Sequence, residues 1–276
     1  MAGTLYITGT PIGNLSDLSP RCAEILEQAD FIAAEDTRVT LKLLNHLGIK
    51  KSLVSYYEHN REKSGKRILE RLLAGENCAL VSDAGMPAVS DPGEELVRLC
   101  AEHSIEVIPI PGPTAFVAAL AVSGLPTGRF TFEGFLSTAR RSRFDHLEAL
   151  RNETRTMIFY EAPHKLLRTL ADMLAAWGDR QVSISRELTK RFEETRRFSL
   201  SAALQHYEAH PPKGEFVLVI RGAEPEKTPA VSMEDALEMV AHLRSQGVSL
   251  KDASTEVSRG TGHSKNAIYA AALKQD

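Results

Sequence analysis

The chain alternates short apolar runs with longer segments of helical spacing. Apolar runs at Thr4–Thr8, Phe31–Ala34, Leu53–Tyr57, Cys78–Val81 and Glu106–Ile110 are each followed by an amphipathic stretch. Those stretches fall at Pro20–Ala29, Arg38–Leu47, Lys66–Leu73, about 92–102 and about 114–122. Repeated strand–helix units predict a mostly parallel sheet covered by helices on both faces. The boundaries carry their own chemistry. Ser19-Pro20 reads as a helix cap followed by proline in the first turn, and Gly48 and Gly75 close the helices before them. Asp91-Pro92-Gly93-Glu94 reads as a cap, a first-turn proline and an acidic third position.

After Ser123-Gly124-Leu125-Pro126-Thr127-Gly128 the pattern restarts, with runs at Phe130–Leu136, Thr156–Tyr160, Val182–Glu187, Thr195–Leu200 and Phe216–Arg221. Helix candidates at Ala139–Arg151 and His164–Trp177 separate the first three, but the next two runs follow each other directly. This half is therefore expected to hold a mixed sheet. Gly222–Ala230, rich in Pro, Glu and Lys, reads as a linker. Beyond it, Met233–Ser245, Ser249–Ser258 and Ser264–Leu273 read as three small helices separated at Gly247 and Gly260-Thr-Gly262. They suit either a helix-turn-helix module or a capping bundle. The expected organisation is residues 1–125 as one α/β domain, 126–223 as a second, 224–230 as a linker and 231–276 as a helical module.

Composition narrows the class. At 276 residues, 43% hydrophobic and 25% charged, the chain reads as soluble and globular. A formal charge of -3 excludes a polybasic coat, so contact with nucleic acid has to come from local patches. The three cysteines, Cys22, Cys78 and Cys100, form no CxxC pair and sit among apolar residues, as buried reduced thiols in the cytoplasm would. No apolar run approaches a membrane span, and the start lacks the charged and apolar regions of a secretory leader. His, Cys and Asp do not cluster at ligand spacing, so no metal is expected.

Candidate chemistry concentrates in loops. In an open α/β sheet, ligands bind beyond the carboxyl ends of the strands. The first such loop, Gly9-Thr-Pro-Ile-Gly13-Asn14, fits neither GxGxxG nor GxxxxGK[ST]. Its helix begins near Pro20, too late to cradle a diphosphate. The next loops are Glu35-Asp-Thr-Arg38, Glu58-His-Asn-Arg61, the run VSDAGMPAVSDPG at Val81–Gly93, and Pro111-Gly-Pro-Thr-Ala115. Singly, each has a plain structural explanation. Asp36 and Asp91 serve as helix caps, Glu58 and His59 as solvated turn residues, and Pro111-Gly-Pro as a rigid turn. Five polar, Gly/Pro-shaped loops along one sheet edge nevertheless favour a small-molecule cleft.

GTPIGN, EDTR, SYYEHN, VSDAGMPAVSDPG, PGPTA with the later SGL, FEGFL, FYEAPHKL, RELTK and KGEFVLVI follow one another in that order. The series resembles the ribosomal RNA small subunit methyltransferase I family, a branch of the tetrapyrrole methylase superfamily. The resemblance runs from about Leu5 to Arg221, and the last helices are similar to a small domain that the family often appends. It departs at Ser137-Thr-Ala139, where a Pro-Lys-like pattern is common, and at Thr114, where Ser is frequent.

The resemblance implies two α/β/α domains of the tetrapyrrole methylase type with a cleft between them, commonly in a homodimer. It implies S-adenosylmethionine in that cleft, and methyl transfer to the ribose 2′-oxygen of a decoding-centre cytidine in 16S rRNA or the 30S subunit. It carries the cofactor site onto Pro11, Gly13, Ser82, Asp83, Ala84, Val89, Ser90, Thr114 and Ala115. From the second half it adds Tyr160, Glu161, Ala162, Lys213, Gly214 and Glu215.

Transfer to a hydroxyl oxygen needs a positioned acceptor and a base for its proton. Glu35, Asp36, Glu58, His59, Glu187 and Lys190 are candidates, the carboxylates favoured as orienting groups. RNA phosphates suit Arg38, Arg140, Arg141, Arg143, Arg151 and Arg155, and also Arg186, Lys190, Arg191, Arg196 and Arg197. Arg259, His263, Lys265 and Asn266 offer a third contact. A tetrapyrrole-type acceptor, or a non-catalytic RNA-binding assembly factor, are the alternatives; Arg-rich segments and 6% aromatic content weigh against the first.

Overall fold

The computed structural model describes residues 1–224 and 231–274. Five strands form the first sheet: β1 (Leu5–Thr8), β2 (Phe31–Ala34), β3 (Ser52–Ser55), β4 (Cys78–Val81) and β5 (Val107–Ile110). They lie in the order β3-β2-β4-β1-β5, and every pairing is parallel. The inner strands β2 and β4 are buried at all four positions, as strands covered on both faces must be. Pro109, which has no amide to donate, sits in β5 at the sheet's edge. Helices α1 (Pro20–Gln28) and α2 (Thr37–Leu47) cover one face, with Cys22, Leu26, Leu43 and Leu44 packed on Ile32, Ala34, Ala79 and Val81. Helices α3 (Arg61–Leu73) and α4 (Gly93–Glu102) cover the other through Ile68, Leu72, Leu96 and Cys100.

The caps follow the local sequence, with one shift. Ser19 accepts from the Cys22 amide with Pro20 in the first turn, and Gly48 closes α2 in the left-handed region at φ 71°. Asp91 stands one residue further from its helix than the sequence suggests. Its Oδ1 accepts from Ala88 N at 2.9 Å and Gly93 N at 2.8 Å, bridging the preceding turn to the helix start.

The second sheet comprises β6 (Phe130–Phe135), β7 (Thr156–Glu161), β8 (Gln181–Arg186), β9 (Glu194–Ser199) and β10 (Phe216–Ile220), in the order β6-β7-β10-β8-β9. β6 and β7 are parallel and the other pairings antiparallel, the mixed sheet that two successive strands without a helix require. Helices α6 (Arg140–Ala149), α7 (Pro163–Trp177) and α8 (Leu200–Ala209) bury Leu147, Leu166, Leu170 and Ala203 on one face. The opposite face receives α5 (Ala115–Ser123), where Ala119 and Leu120 meet Ile158, Val217 and Val219. α5 thus follows the last strand of the first sheet yet packs on the second. Its sequence, AFVAALAVS, is apolar all round, yet Val117 and Val122 stay exposed.

The chain divides into compact units at Met1–Ala223 and Glu224–Asp276. In the smaller unit, α9 (Met233–Ser245), α10 (Leu250–Thr261) and α11 (Lys265–Ala272) enclose a core of Ala236, Val240, Ala253, Val257 and Ile268. Ser232 and Asp235 form a capping box, and Ser249 and Ser264 cap the other two helices. Gly260, expected in a turn, lies inside α10; Gly262 makes the turn at φ 74°. Of the expected linker, residues 225–230 lie outside the described residues.

Candidate active site

The first-sheet loops are fastened to one another through their backbones. Thr10 and Gly85 exchange amide–carbonyl bonds of 2.9 and 3.1 Å, and Thr10 Oγ1 donates to the Ser82 carbonyl at 3.2 Å. A side-chain carbon on Gly9 would fall 2.6 Å from Gly112 Cα, so the loops after β1 and β5 meet where only glycine fits. Between Ser82 and Asp91 two non-glycine residues, Ala88 and Ser90, take left-handed φ values of 66° and 65°. Such conformations cost on the order of 1–2 kcal/mol each and persist where surrounding bonds impose them. Here Asp91 does so by gripping the Ala88 amide. Burial raises the Asp91 pKa, opposed by the amides of Gly93, Ala88 and Val89.

Between these loops and the second sheet lies a cavity of about 610 Å³. Ser82, Asp83, Ala84, Val89, Ser90, Thr114 and Ala115 line it from the first half, and Tyr160, Glu161, Ala162 and Glu215 from the second. α5 joins the two walls, its Phe116 amide donating to the Tyr160 hydroxyl at 3.3 Å. Glu161 is buried and already engaged, accepting from Ala162 N at 2.8 Å and from Thr169 Oγ1 at 2.5 Å. Pro11 lines a smaller adjoining cavity of about 220 Å³ that shares Ser82 and Asp83. Gly13, Lys213 and Gly214 line neither. Gly13 packs on Lys190, Gly214 packs on Glu187, and Lys213 offers its carbonyl to Arg186 Nε at 2.7 Å.

The electrostatics are one-sided. The described residues lining the larger cavity include the carboxylates of Glu35, Asp83, Asp91, Glu161 and Glu215 and one imidazole, His164, but neither lysine nor arginine. Burial raises the Glu35 pKa, and the charges of Asp83, Asp91 and Asp36 add to the rise against a bond from the Asp83 amide. Asp36 lies the other way. Its bonds from the Arg38 side chain and amide hold it down at about 2.

The remaining candidate acid–base groups divide sharply. Lys190 Nζ lies 2.9 Å from both Glu187 Oε1 and Glu215 Oε2, and Glu187 Oε1 also accepts from Glu215 N at 3.0 Å. Burial disfavours the Lys190 charge, but the two carboxylates outweigh it and raise the pKa. Burial likewise opposes the Glu187 charge, and the bonds from Lys190 and the Glu215 amide more than offset it. Glu58 and His59 belong to a different surface, around the start of α3 beyond the edge strand β3, where Glu58 pairs with Arg61 at 2.9 Å.

The arginines divide too. Arg140 and Arg141 are exposed in the first turn of α6. Arg38 projects into solvent but pairs with Asp36 at 2.6 Å. Arg143 corrects the sequence expectation of a phosphate contact. Its side chain is only 4% exposed, bonds Asp172 Oδ2 at 2.7 Å and donates to the carbonyls of Ser137 and Thr138. Its periodicity places it on the inner face of α6, where a guanidinium requires internal partners. Arg186 is half-buried against Lys213 and Glu194, whereas Arg191 is exposed beside Phe192. Arg151, Arg155 and Arg196 pair with Glu148, Glu153 and Glu194, and Arg197 donates to the Ser123 carbonyl at 2.8 Å. In the smaller unit His263 Nε2 donates to the Val231 carbonyl at 2.7 Å, while Arg259 and Asn266 are exposed and Lys265 is half-buried.

Ile12, Met86, Phe135, Leu188, Phe216 and Val217 complete the cavity wall without having been singled out in the sequence. Ile12 and Met86 lie in the loops after β1 and β4, whereas strand pairing brings Phe216 and Val217 there: Phe216 stands opposite Glu161 and Arg186. Among the described residues no group of His, Cys, Asp or Glu could hold a metal ion, and no helix is long and apolar enough to cross a membrane. Cys22, Cys78 and Cys100 are buried free thiols whose pKa burial raises, to about 11 for Cys22 and Cys100.

Residues 4–204 match the family described as Tetrapyrrole (Corrin/Porphyrin) Methylases, and residues 231–276 match the RsmI C-terminal HTH domain. The chain is 48% identical to ribosomal RNA small subunit methyltransferase I of Synechocystis sp. over 99% of its length and 98% of that protein. It is 44% identical to the Escherichia coli O157:H7 protein of the same name, covering 99% of this chain and 96% of that one. Among solved structures it is similar to a cobalt precorrin-4 methyltransferase, with TM-score 0.57 and 21% identity over 78% of this chain and 94% of that one. It is also similar to a Thermus thermophilus uroporphyrin-III C-methyltransferase complexed with S-adenosyl homocysteine, with TM-score 0.56 and 18% identity over 79% and 97%. At those identities the structural likeness is one of fold.

Proposed function

Because this chain belongs to the tetrapyrrole methylase family, and within it to the ribosomal RNA small subunit methyltransferase I family, we propose that it transfers a methyl group from S-adenosylmethionine to the ribose 2′-oxygen of a decoding-centre cytidine in 16S rRNA. The observation that carries this is the charge of the cavity. A pocket of about 610 Å³ lined by carboxylates, with no lysine or arginine among its described lining residues, suits a compact cation and repels a phosphate. S-adenosylmethionine bears a sulfonium and an ammonium and has no phosphate.

When bound, the cofactor supplies an electrophilic methyl group; the chain supplies everything else. Ser82, Ala84, Val89, Ser90, Thr114 and Ala115 offer turn backbone and small side chains to its adenine and amino-acid ends. The Asp83 carboxylate accepts from ribose hydroxyls or the ammonium. Tyr160, Ala162 and Glu215 close the other side. Positioning the acceptor oxygen in line and excluding water are the main contributions expected of such a site.

Glu35 is the side chain we favour for receiving the hydroxyl proton. It lines the cavity, no cation pairs with it among the described residues, and its raised pKa makes it a better acceptor than an ordinary glutamate. Asp36, Glu187 and Lys190 suit orientation instead. Arg38 holds Asp36 ionised to low pH, and the mutual bonds of Glu187 and Lys190 stabilise both charges. Glu58 faces another surface.

In this scheme residues 1–125 carry most of the cofactor wall, 126–223 the facing wall, and 224–230 link them to 231–276, a second surface for RNA. Exposed Arg140, Arg141 and Arg191 meet phosphates of the 30S subunit or its RNA. A homodimer in the cytoplasm completes the picture, supported by exposed Val117 and Val122 on α5 and exposed Phe130, and by three reduced thiols. Incubation with labelled S-adenosylmethionine and 30S subunits lacking the modification tests it. Label is expected on the 2′-oxygen of the decoding-centre cytidine, and its absence there, with binding-competent protein, sinks the assignment.

A further inference from the structure

The hairpin joining β8 to β9 stands at a defined place. Arg186 is paired with Glu194 across it and lies opposite Phe216, which in turn faces Glu161. The hairpin therefore leaves the sheet at the end that lines the cavity, and Leu188 within it forms part of the cavity wall. Its backbone is tightly determined. Lys190 N donates to the Glu187 carbonyl at 3.0 Å and Glu193 N to the Lys190 carbonyl at 3.1 Å. Glu187 and Thr189 take left-handed φ values of 49° and 65°, and the Lys190 stem packs so closely on Gly13 that a side-chain carbon there would overlap Lys190 Cγ. Strain of that kind is sustained only where the surroundings impose it, and it collects at working sites.

What this rigid hairpin presents is an aromatic ring. Phe192 is 64% exposed, more than any other described aromatic side chain, so the ring contributes little to the core. The Arg191 guanidinium carbon lies 5.6 Å from the ring centroid, and no acidic side chain pairs with Arg191 among the described residues. Neighbouring cations are occupied, Lys190 by Glu187 and Glu215 and Arg186 by the Lys213 carbonyl.

We propose that Phe192 and Arg191 form a stacking platform at the cavity's rim for an unpaired RNA base flanking the nucleotide to be methylated. The inference rests on the rRNA reading above. A ribose hydroxyl can enter a cavity between two sheets only if its nucleotide leaves the helical stack, and an adjacent base then loses its stacking partner. Aromatic rings and arginine planes replace such partners, and an unpaired guanidinium also meets the flanking phosphate.

The test compares Phe192→Ala, Phe192→Leu, Phe192→Trp and Arg191→Ala with the wild type, using 30S subunits lacking the modification. Phe192 is exposed, so none of its variants should disturb the fold. Phe192→Ala and Phe192→Leu are expected to raise KM for the subunit roughly 5- to 150-fold while leaving the S-adenosylmethionine Kd unchanged. Phe192→Trp should keep wild-type KM, and its exposed indole, added to a chain with one tryptophan, should be quenched on RNA binding. Arg191→Ala should raise KM and flatten its salt dependence. Wild-type KM in Phe192→Ala, full function in Phe192→Leu, or a change of sedimentation from dimer to monomer would overturn the proposal, the last by assigning the ring to a subunit contact. Failure of the wild type to methylate subunits is a separate result that removes the rRNA reading and this platform with it.

Discussion

The amide of Asp36 donates to Asp83 Oδ1 at 3.0 Å, so one carboxylate ties the loop after β2 to the loop after β4. Asp83 lines both cavities, and in the proposed cofactor site its remaining oxygen would accept from the ligand. Asp83→Ala removes the tether and the acceptor together, whereas Asp83→Asn keeps one acceptor oxygen, enough for the tether, and replaces the charged second oxygen with an amide donor. Loss of a hydrogen bond to a charged group costs about 1.5–3 kcal/mol, or roughly a 10- to 150-fold rise in Kd. Titration calorimetry should show that rise for S-adenosylmethionine in Asp83→Ala and a smaller one in Asp83→Asn. Wild-type affinity in Asp83→Ala would remove Asp83 from the cofactor site.

Glu35 fixes the direction of a pH dependence. Burial first, then the charges of Asp83, Asp91 and Asp36, raise its pKa above the ordinary glutamate value. A proton acceptor works as the carboxylate, so activity should be full above the raised pKa and fall tenfold per pH unit below it. Bound cationic cofactor opposes the shift, so the break in kcat should lie at lower pH than the break in kcat/KM. Glu35→Gln should lower kcat by about 10²–10³-fold and abolish the break, with the cofactor Kd changed far less. A pH–rate profile for Glu35→Gln that retains the wild-type break would assign the proton to another group.

Arg140 and Arg143 stand three residues apart on α6 yet predict opposite phenotypes. Arg143 is buried and bonds Asp172 and two carbonyls, so Arg143→Ala should cost about 3–5 kcal/mol of stability, read by denaturant unfolding. Arg140 is exposed, with its guanidinium carbon 5.5 Å from the Phe144 ring. Arg140→Ala and Arg141→Ala should leave unfolding unchanged and each reduce the slope of log KM for RNA against log salt by about 0.7–0.9. Equal destabilisation by all three variants would remove the distinction.

The same arginines mark where linear pattern stops being informative. Both sheets, their parallel and mixed character and most helix limits follow from apolar runs, caps and glycines, because those signals act over a few residues. Ser82, Asp83 and Thr114 line the cavity because their loops follow the carboxyl ends of the parallel strands β4 and β5, which the strand–helix alternation already implies, while Tyr160 reaches it from β7 of the second sheet. Arg143 reads like its exposed neighbours until the packing of α6 on α7 is known. Phe216 enters the wall through antiparallel pairing and Leu188 from the β8–β9 connection that this pairing places, a long-range register that the linear pattern does not encode. α5 shows the same limit at larger scale, since its uniform apolarity says neither which sheet it packs on nor that Val117 and Val122 stay exposed.

Gly214 supplies a test of the latch behind Glu215. Its φ is +90°, and a methyl group there would lie 2.5 Å from Glu187 Cγ and 2.6 Å from Cδ, displacing the side chain that binds both Lys190 and the Glu215 amide. Gly48 has φ +71° with nothing within 4 Å of an added methyl, so Gly48→Ala reports the backbone cost alone. That cost is about 1–2 kcal/mol. Gly214→Ala should lose about 1–3 kcal/mol more than Gly48→Ala in denaturant unfolding, and it alone should weaken cofactor binding, because Glu215 lines the cavity. Equal losses in the two variants, with cofactor affinity unchanged in both, would show that the Glu187–Lys190–Glu215 network does not support the cavity wall.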